Sequence, residues 1–329
     1  MINKIIKTTV ALSLVVTVAY GANGARFNVI DGDAGEKYEH LLGESLEHEI
    51  GFTVSDPHER INDAYAKRYG NTEDPDYDKD WAKNLDNLGF FSITNDAKLN
   101  SILKIAPEVA GFAPFNQLIY KKANEDKTYI GHLDPTTMLN IVGTTNELAR
   151  KDFIAMYEPL DKWTTDELGG KVETSTFDAL PAKPMMTFEF TFDRPEDLTE
   201  YIDTFQEEFE GAFEDKKYII AGFKNFKESF EEDLEMEFVE YDAFFVYSLC
   251  HFTFSYNIFN KGRPDTGVFA PCSMYFYIKK DSNTMVVGMP RLSNWVSVMN
   301  MKDATKIEWT KTIDSEIISI MKEMGAKEI

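Results

Sequence analysis

Gly111-Phe112-Ala113-Pro114, followed by an apolar run reaching Tyr120 and Lys122, recurs 157 residues later as Val268-Phe269-Ala270-Pro271 with Tyr277 and Lys279. At the same offset Gly131 meets Gly288, and the twenty positions from Phe112 to Gly131 hold six identities without a gap. A gap-free match preserves the alternation of inward and outward side chains as well as composition, so it marks two copies of one supersecondary unit. The chain therefore reads as a tandem of two related modules of the α+β class, each an antiparallel sheet packed on two main helices.

The second copy is the clearer. Met186 to Phe192 alternates apolar and polar residues with the period of a half-buried strand. Pro195-Glu196-Asp197 then opens a helix with apolar positions at Leu198, Tyr201, Ile202, Phe205 and Phe209. Strands are expected at Tyr218 to Phe223, Phe244 to Leu249, Ser273 to Lys279 and Thr284 to Met289, and a last helix at Thr312 to Met324. The first copy repeats the plan with a strand at Phe27 to Ile30, a helix at Glu36 to Glu49 and a helical piece at Pro57 to Tyr69. Its further strands are expected at Phe90 to Thr94, Asn116 to Lys122 and Lys127 to His132. Gly70 to Asp80 is polar and acidic and reads as an exposed insertion. Glu167 to Pro184, with Gly169, Gly170, Pro181 and Pro184, reads as the connection between copies. The expected division is 1–21 a leader, 22–166 the first module, 167–185 the linker and 186–329 the second module.

The amino terminus combines Lys4 and Lys7 with an apolar stretch from Thr8 to Tyr20 and small residues after it. This is the composition of a secretory signal peptide, cleaved after Gly21 or Gly24, and the stretch is short for a membrane span. The mature protein is thus expected to be periplasmic or secreted, with no membrane span after cleavage. Net charge is −22, with 56 acids against 34 lysines and arginines. A surface that acidic repels phosphate backbones and argues against nucleic-acid partners.

Two further stretches carry a resemblance. Tyr247-Ser248-Leu249-Cys250, then Phe269-Ala270-Pro271-Cys272 with the strand Met285 to Met289, resembles the family called domain of unknown function 302. Leu46 to Tyr69, with Gly51-Phe52-Thr53-Val54 at its centre, is similar to that family's opening. The resemblance covers most of both copies. It implies a compact β-α-β4-α module of TATA-binding-protein-like architecture, often oligomeric, with a cysteine ending one strand and another in a Pro-Cys pair opening the next. Those positions match Cys250 and Cys272. In the first copy Phe115 replaces Cys272, and the place of Cys250 falls on Thr94 or Asn95, so both cysteines are lost together.

Joint loss indicates neighbouring cysteines, the only two in the chain. A Cys250–Cys272 disulfide would close a loop of about 22 residues and stabilise by roughly 3 kcal/mol; two buried thiols or a redox or ligand role are the alternatives. Cys250, His251, Cys272 and Met274 offer thiolate, imidazole and thioether donors of the kind that suits Cu(I) or Zn. Met285 and Met289, close by in sequence, add thioethers, although alternating strand methionines serve equally as core filler. His40, Glu44 and His48 share one helix face, but the helix is dense in acids and reads as solvated. His58 and His132 stand alone. Tyr247, Phe254, Tyr275 and Tyr277 belong to aromatic runs that suit either a pocket for an apolar or planar ligand or a sheet core.

No glycine-rich phosphate loop, nucleophile elbow, His-Glu-x-x-His or Cys-x-x-Cys is present. The composition leans away from an enzyme, with no cofactor required. The leading expectation is a non-enzymatic binding or interaction module for a small molecule or protein, with homo-oligomerisation open. The alternatives are a redox or copper-handling protein acting through Cys250 and Cys272, and a hydrolase with a carboxylate site that sequence spacing does not expose.

Overall fold

The structure is a computed structural model that describes residues 21–56 and 61–329, apart from the side chains of Glu44, Ser55 and Asp56. The leader, His58 and the start of the Pro57–Tyr69 helix lie outside the described residues. The first module runs β1 (Ala22–Asp31), α1 (Gly35–Glu44), α2 (Leu46–Ile50), β2 (Thr53–Asp56), α3 (Ile61–Tyr69) and β3 (Leu85–Thr94). It continues with α4 (Asp96–Ile105), β4 (Phe115–Lys122), β5 (Lys127–Leu133), α5 (Pro135–Val142), α6 (Glu147–Leu168) and β6 (Lys171–Phe177).

The second module runs β7 (Met185–Thr191), α7 (Leu198–Glu214), β8 (Tyr218–Asn225), α8 (Phe226–Glu228) and β9 (Tyr241–His251). After β9 come α9 (Phe252–Ser255), β10 (Cys272–Lys279), β11 (Thr284–Pro290), α10 (Ser293–Val298), α11 (Ala304–Glu323) and β12 (Lys327–Glu328). Each module forms one six-stranded antiparallel sheet, with orders β2-β3-β4-β5-β1-β6 and β12-β7-β11-β10-β9-β8. Read from β2 and from β8 the two orders are the same. The 157-residue offset holds to the residue for β4 and β10, β5 and β11, and the 3-10 turns Pro107–Phe112 and Pro264–Phe269.

The expected strand, helix, four strands, helix order is therefore present, with a sixth strand added beside β1 or β7. Two readings change in detail. The segment taken as linker contains β6, which pairs with β1 between Ala22 and Phe177, so the connection proper is shorter. The helix expected at Glu36 to Glu49 breaks at Ser45, whose backbone N–H closes the first helix on Leu41. His40 and His48 consequently sit on separate helices, both exposed.

Apolar spacing explains which faces are covered. Phe205, Phe209 and Phe213 recur every four residues along α7, so they share one stripe and are buried. Phe209 packs on Tyr247 and Phe276 at ring separations of 4.9 and 5.0 Å. Asp197 caps this helix by accepting from the N–H groups of Thr199 and Glu200, a contact worth about 1 kcal/mol. In the first module α1 and α6 do the same work, with Tyr38 on Phe91 and Tyr157 on Phe115.

The opposite face of each sheet is covered by the other module. The 3-10 turn of each module packs on the central strand of the other, Pro107–Phe112 on β10 and Pro264–Phe269 on β4. Asn116 Nδ2 donates to Gly267 O at 2.5 Å, and Ser273 Oγ, 157 positions later, donates to Pro114 O at 3.4 Å. A β-carbon at Gly267 would stand 2.9 Å from Leu118 and from Phe90, so the close approach of that turn requires glycine. The contact is reciprocal, the arrangement a two-fold axis imposes on a symmetric dimer, here realised between two halves of one chain.

Candidate functional site

A cavity of about 400 Å³ lies in the second module, at the end of β8, β9 and β10 where α9, α10 and α11 converge. That volume falls within the usual range for small-molecule pockets. Its wall is apolar: Leu249, Ile313, Ile317 and Met289 from sheet and helix, Phe254 and Phe259 from the turn after β9. Trp295 closes one side, stacked on Phe259 and Phe269 with centroids 5.6 and 5.8 Å apart. Ile61 and Ala64 of α3 complete the rim from the first module, so both modules contribute. Ile219, 48% exposed, also lines the cavity and opens it toward solvent.

Strand register shows why this space exists. Phe115 pairs with Ile93 as Cys272 pairs with Leu249, and Thr53 pairs with Thr94 as Ile219 pairs with Cys250. Cys250 thus occupies the place of Thr94, and Tyr218 that of Phe52. In the first module Phe115 touches Phe52 at 6.0 Å and Tyr157 at 4.5 Å, three rings filling one volume. Their counterparts are Cys272, Tyr218 and Asp314. Two of the three rings are gone. Asp314 turns instead to the start of α10, accepting from the N–H groups of Leu292 and Ser293 at 2.7 and 3.2 Å.

A second change acts from the other side. Asn95 caps α4 and His251 caps α9 by the same geometry, the side chain accepting from the N–H three residues on. From those caps to Pro107 and Pro264 the second module has one residue more. The extra residue is absorbed as the π-helical turn Tyr256–Asn260, which widens the helix where Phe259 faces the cavity.

The two cysteines are free thiols and both line this cavity. Burial pushes the Cys250 thiol up to about 11 and that of Cys272 further, so both are neutral and weakly nucleophilic near neutral pH. His251 joins them at the rim, its imidazole held below the ordinary range chiefly by burial. Met274 does not join them; it faces α7 beside Tyr247. Among the described residues no group of three or more His, Cys, Asp and Glu side chains is placed to hold a metal.

The four candidate aromatic residues separate. Phe254 lines the cavity. Tyr247 lies under α7, donating its hydroxyl to Glu210 at 2.6 Å. Tyr275 and Tyr277 share the face of Ser273 and look toward the first module, whose Glu108 acts on both. A β-carbon at Gly288 would run into the Tyr275 ring at 2.2 Å, and one at Gly131 would stand 2.0 Å from Arg26 O, so the repeated glycine is required in each copy by different neighbours. His132 is fully buried in the first module, with Nδ1 2.7 Å from Leu133 O and Nε2 3.1 Å from Asp161, itself bound by Arg26 at 2.9 Å. Trp295, Ile313 and Ile317 were beyond sequence reasoning because they come from helices distant in the chain; aligning the repeat through Tyr157 and Met138 was the available signal.

The fold thus defines an α+β protein of two modules, and two such six-stranded sheets fit a tandem of modules similar to the domain of unknown function 302. One solved structure that matches is the uncharacterized conserved protein DUF302 from Bacillus stearothermophilus. It is 20% identical, with a TM-score of 0.32, and the match covers 41% of this chain and 96% of that one. No family model matches the sequence, and no curated protein is significantly similar to it. No helix among the described residues is long and apolar enough to cross a membrane.

Proposed function

We propose that this is a periplasmic or secreted, non-enzymatic binding protein that takes an apolar small molecule into the cavity of its second module. The observation that carries the reading is the 400 Å³ volume, bounded by apolar side chains where the first module is filled by rings. Burying an apolar ligand there gains roughly 25 cal/mol per Å² of surface removed from water. The neutral thiols and the desolvated imidazole suit an uncharged guest.

The test uses a neutral environment-sensitive fluorophore, N-phenyl-1-naphthylamine, with the mature chain. Saturable binding with energy transfer from tryptophan is expected, and Cys272→Phe, which installs the first module's residue, should abolish it. Non-saturable uptake, or binding indifferent to that substitution, would refute the reading.

The second reading, redox or copper handling, draws its support from the two free thiols on one cavity. Thiol titration with and without reductant, and metal analysis of protein from the periplasm, decide it. Two titratable thiols and one tightly bound Cu(I) would favour it over an apolar guest.

A further inference from the structure

In the first module the place of the cavity is taken by rings. Phe115 lies there with the Phe52 ring edge-on at 6.0 Å, the tilted Tyr157 ring at 4.5 Å and the His132 ring at 5.8 Å. At the matching positions the second module keeps one ring, Tyr218, and carries Cys272, Asp314 and Met289 for the others. Space that rings fill in one copy is open in the other, and an aromatic wall still stands beside it.

That wall has two properties that select among apolar guests. Phe254, Phe259 and Trp295 join Tyr218 in lining the cavity, and the Trp295 ring centre lies 5.6 Å from each of the two phenylalanines. These rings hold one another in place, and a guest ring can add further edge or offset contacts to them. The sulfurs of Cys250, Cys272 and Met289 border the same space, where the first module has Thr94, Phe115 and His132. Thiol and thioether sulfurs make favourable contacts with aromatic rings that a saturated guest cannot offer.

The polar groups of the wall, by contrast, are engaged with the protein. The Tyr218 hydroxyl meets the Glu316 carboxylate, and the Cys250 thiol is bonded to Ser255. Ser255 Oγ in turn donates to Phe252 O at 2.8 Å. An engineered apolar cavity of about 150 Å³ holds one benzene ring. The volume of about 400 Å³ therefore has room for a body of two rings.

We infer that the guest is an uncharged aromatic molecule with a two-ring body, seated against Tyr218, Phe254 and Trp295 in the space that Phe115 and Tyr157 fill in the first module. This rests on the binding reading given above and specifies the guest's class.

The experiment compares 2-naphthol with decahydro-2-naphthol on the mature chain by isothermal titration calorimetry. The two share a skeleton and a hydroxyl, and the saturated one buries at least as much apolar surface, so an apolar cavity without ring preference would not favour the naphthol. At least fivefold tighter binding of 2-naphthol is expected, about the worth of one aromatic pair. Phe254→Leu and Met289→Leu keep the wall apolar and close to its volume while removing a ring and a sulfur. Each should narrow the ratio about twofold or more and leave decahydro-2-naphthol within twofold of its original affinity. Narrowing in either variant supports the assignment. Equal or weaker binding of 2-naphthol, or a ratio unmoved in both variants, overturns it while N-phenyl-1-naphthylamine still binds. Failure of that fluorophore to bind at all would fall on the binding reading instead.

Discussion

The two modules share strand order, register and the reciprocal contact that joins them, and differ in what fills the space between sheet and second long helix. In the first, Phe52, Phe115 and Tyr157 close that space ring against ring. In the second, Tyr218, Cys272 and Asp314 leave it open, and a one-residue insertion becomes a π turn along its wall. Duplication of a fold thus supplied a scaffold copy and a copy free to change its interior, since sheet pairing and the module contact are satisfied by residues outside the altered core. Packing density makes such a change visible, because a core that loses two rings without replacement keeps the volume.

The largest effect should follow from making the first module resemble the second. Phe115→Cys removes a buried ring from a three-ring cluster and is expected to cost about 3 kcal/mol, read from the shift of a urea unfolding curve. The reciprocal Cys272→Phe should change stability by less than about 1 kcal/mol, because the added ring enters existing space. Equal costs for the two substitutions would show that the second-module volume is no larger in solution than the first.

A smaller effect tests the polar side of the first module. His132 and Asp161 occupy the positions that hold Met289 and Ile318 in the second. His132→Met copies the second module and leaves the Asp161 carboxylate to Arg26 alone. A loss of about 2 kcal/mol is expected, the worth of a hydrogen bond to a charged group. Combining it with Asp161→Ile should recover part of the loss, and a double variant no better than the single one would break the link between the two residues.

Much of the fold was legible because its signals are local or repeated. The alternation from Met186 to Phe192 and the phenylalanines of α7 each report a single buried face, and the shared offset ties the copies together. The break at Ser45 and the strand at Lys171–Phe177 were not legible. The first depends on a cap contact within a continuous helical pattern, and the second on pairing with β1 some 145 residues earlier, in a strand too polar to announce itself. The site was half legible. Joint replacement of Cys250 and Cys272 pointed to the second copy and to two residues of one wall, whereas the aromatic runs pointed to Tyr247, Tyr275 and Tyr277, which alternate onto other faces. Alternation along a strand fixes which residues share a face, but not which face meets open space.

The smallest effect concerns an element the second module lacks. The acidic insertion near 70–80 was expected to be exposed, and most of it is, yet Asp78 reaches the second module. Its carboxylate accepts from Lys261 Nζ and from Tyr256 Oη, the latter at 2.9 Å, on the turn that borders the cavity. Tyr69 stacks on the same Tyr256 ring at 3.5 Å, and Lys261 lies over that ring at 5.0 Å. The Lys261 hydrogen bond, with the Asp80 N–H behind it, holds the Asp78 carboxyl at about 2 against an ordinary 3.8. A lowered carboxyl pKa stabilises the fold above the unfolded value, and that stabilisation is lost as pH falls from about 3.8 toward 2. Asp78→Asn should therefore cost about 1 kcal/mol at neutral pH, less in high salt because the pair is partly solvated. The cost should shrink as pH falls through that window, measured as the difference between the urea midpoints of the two proteins. A difference independent of both salt and pH would show that the insertion meets the second module by shape alone and that its charge does nothing to fix the π turn.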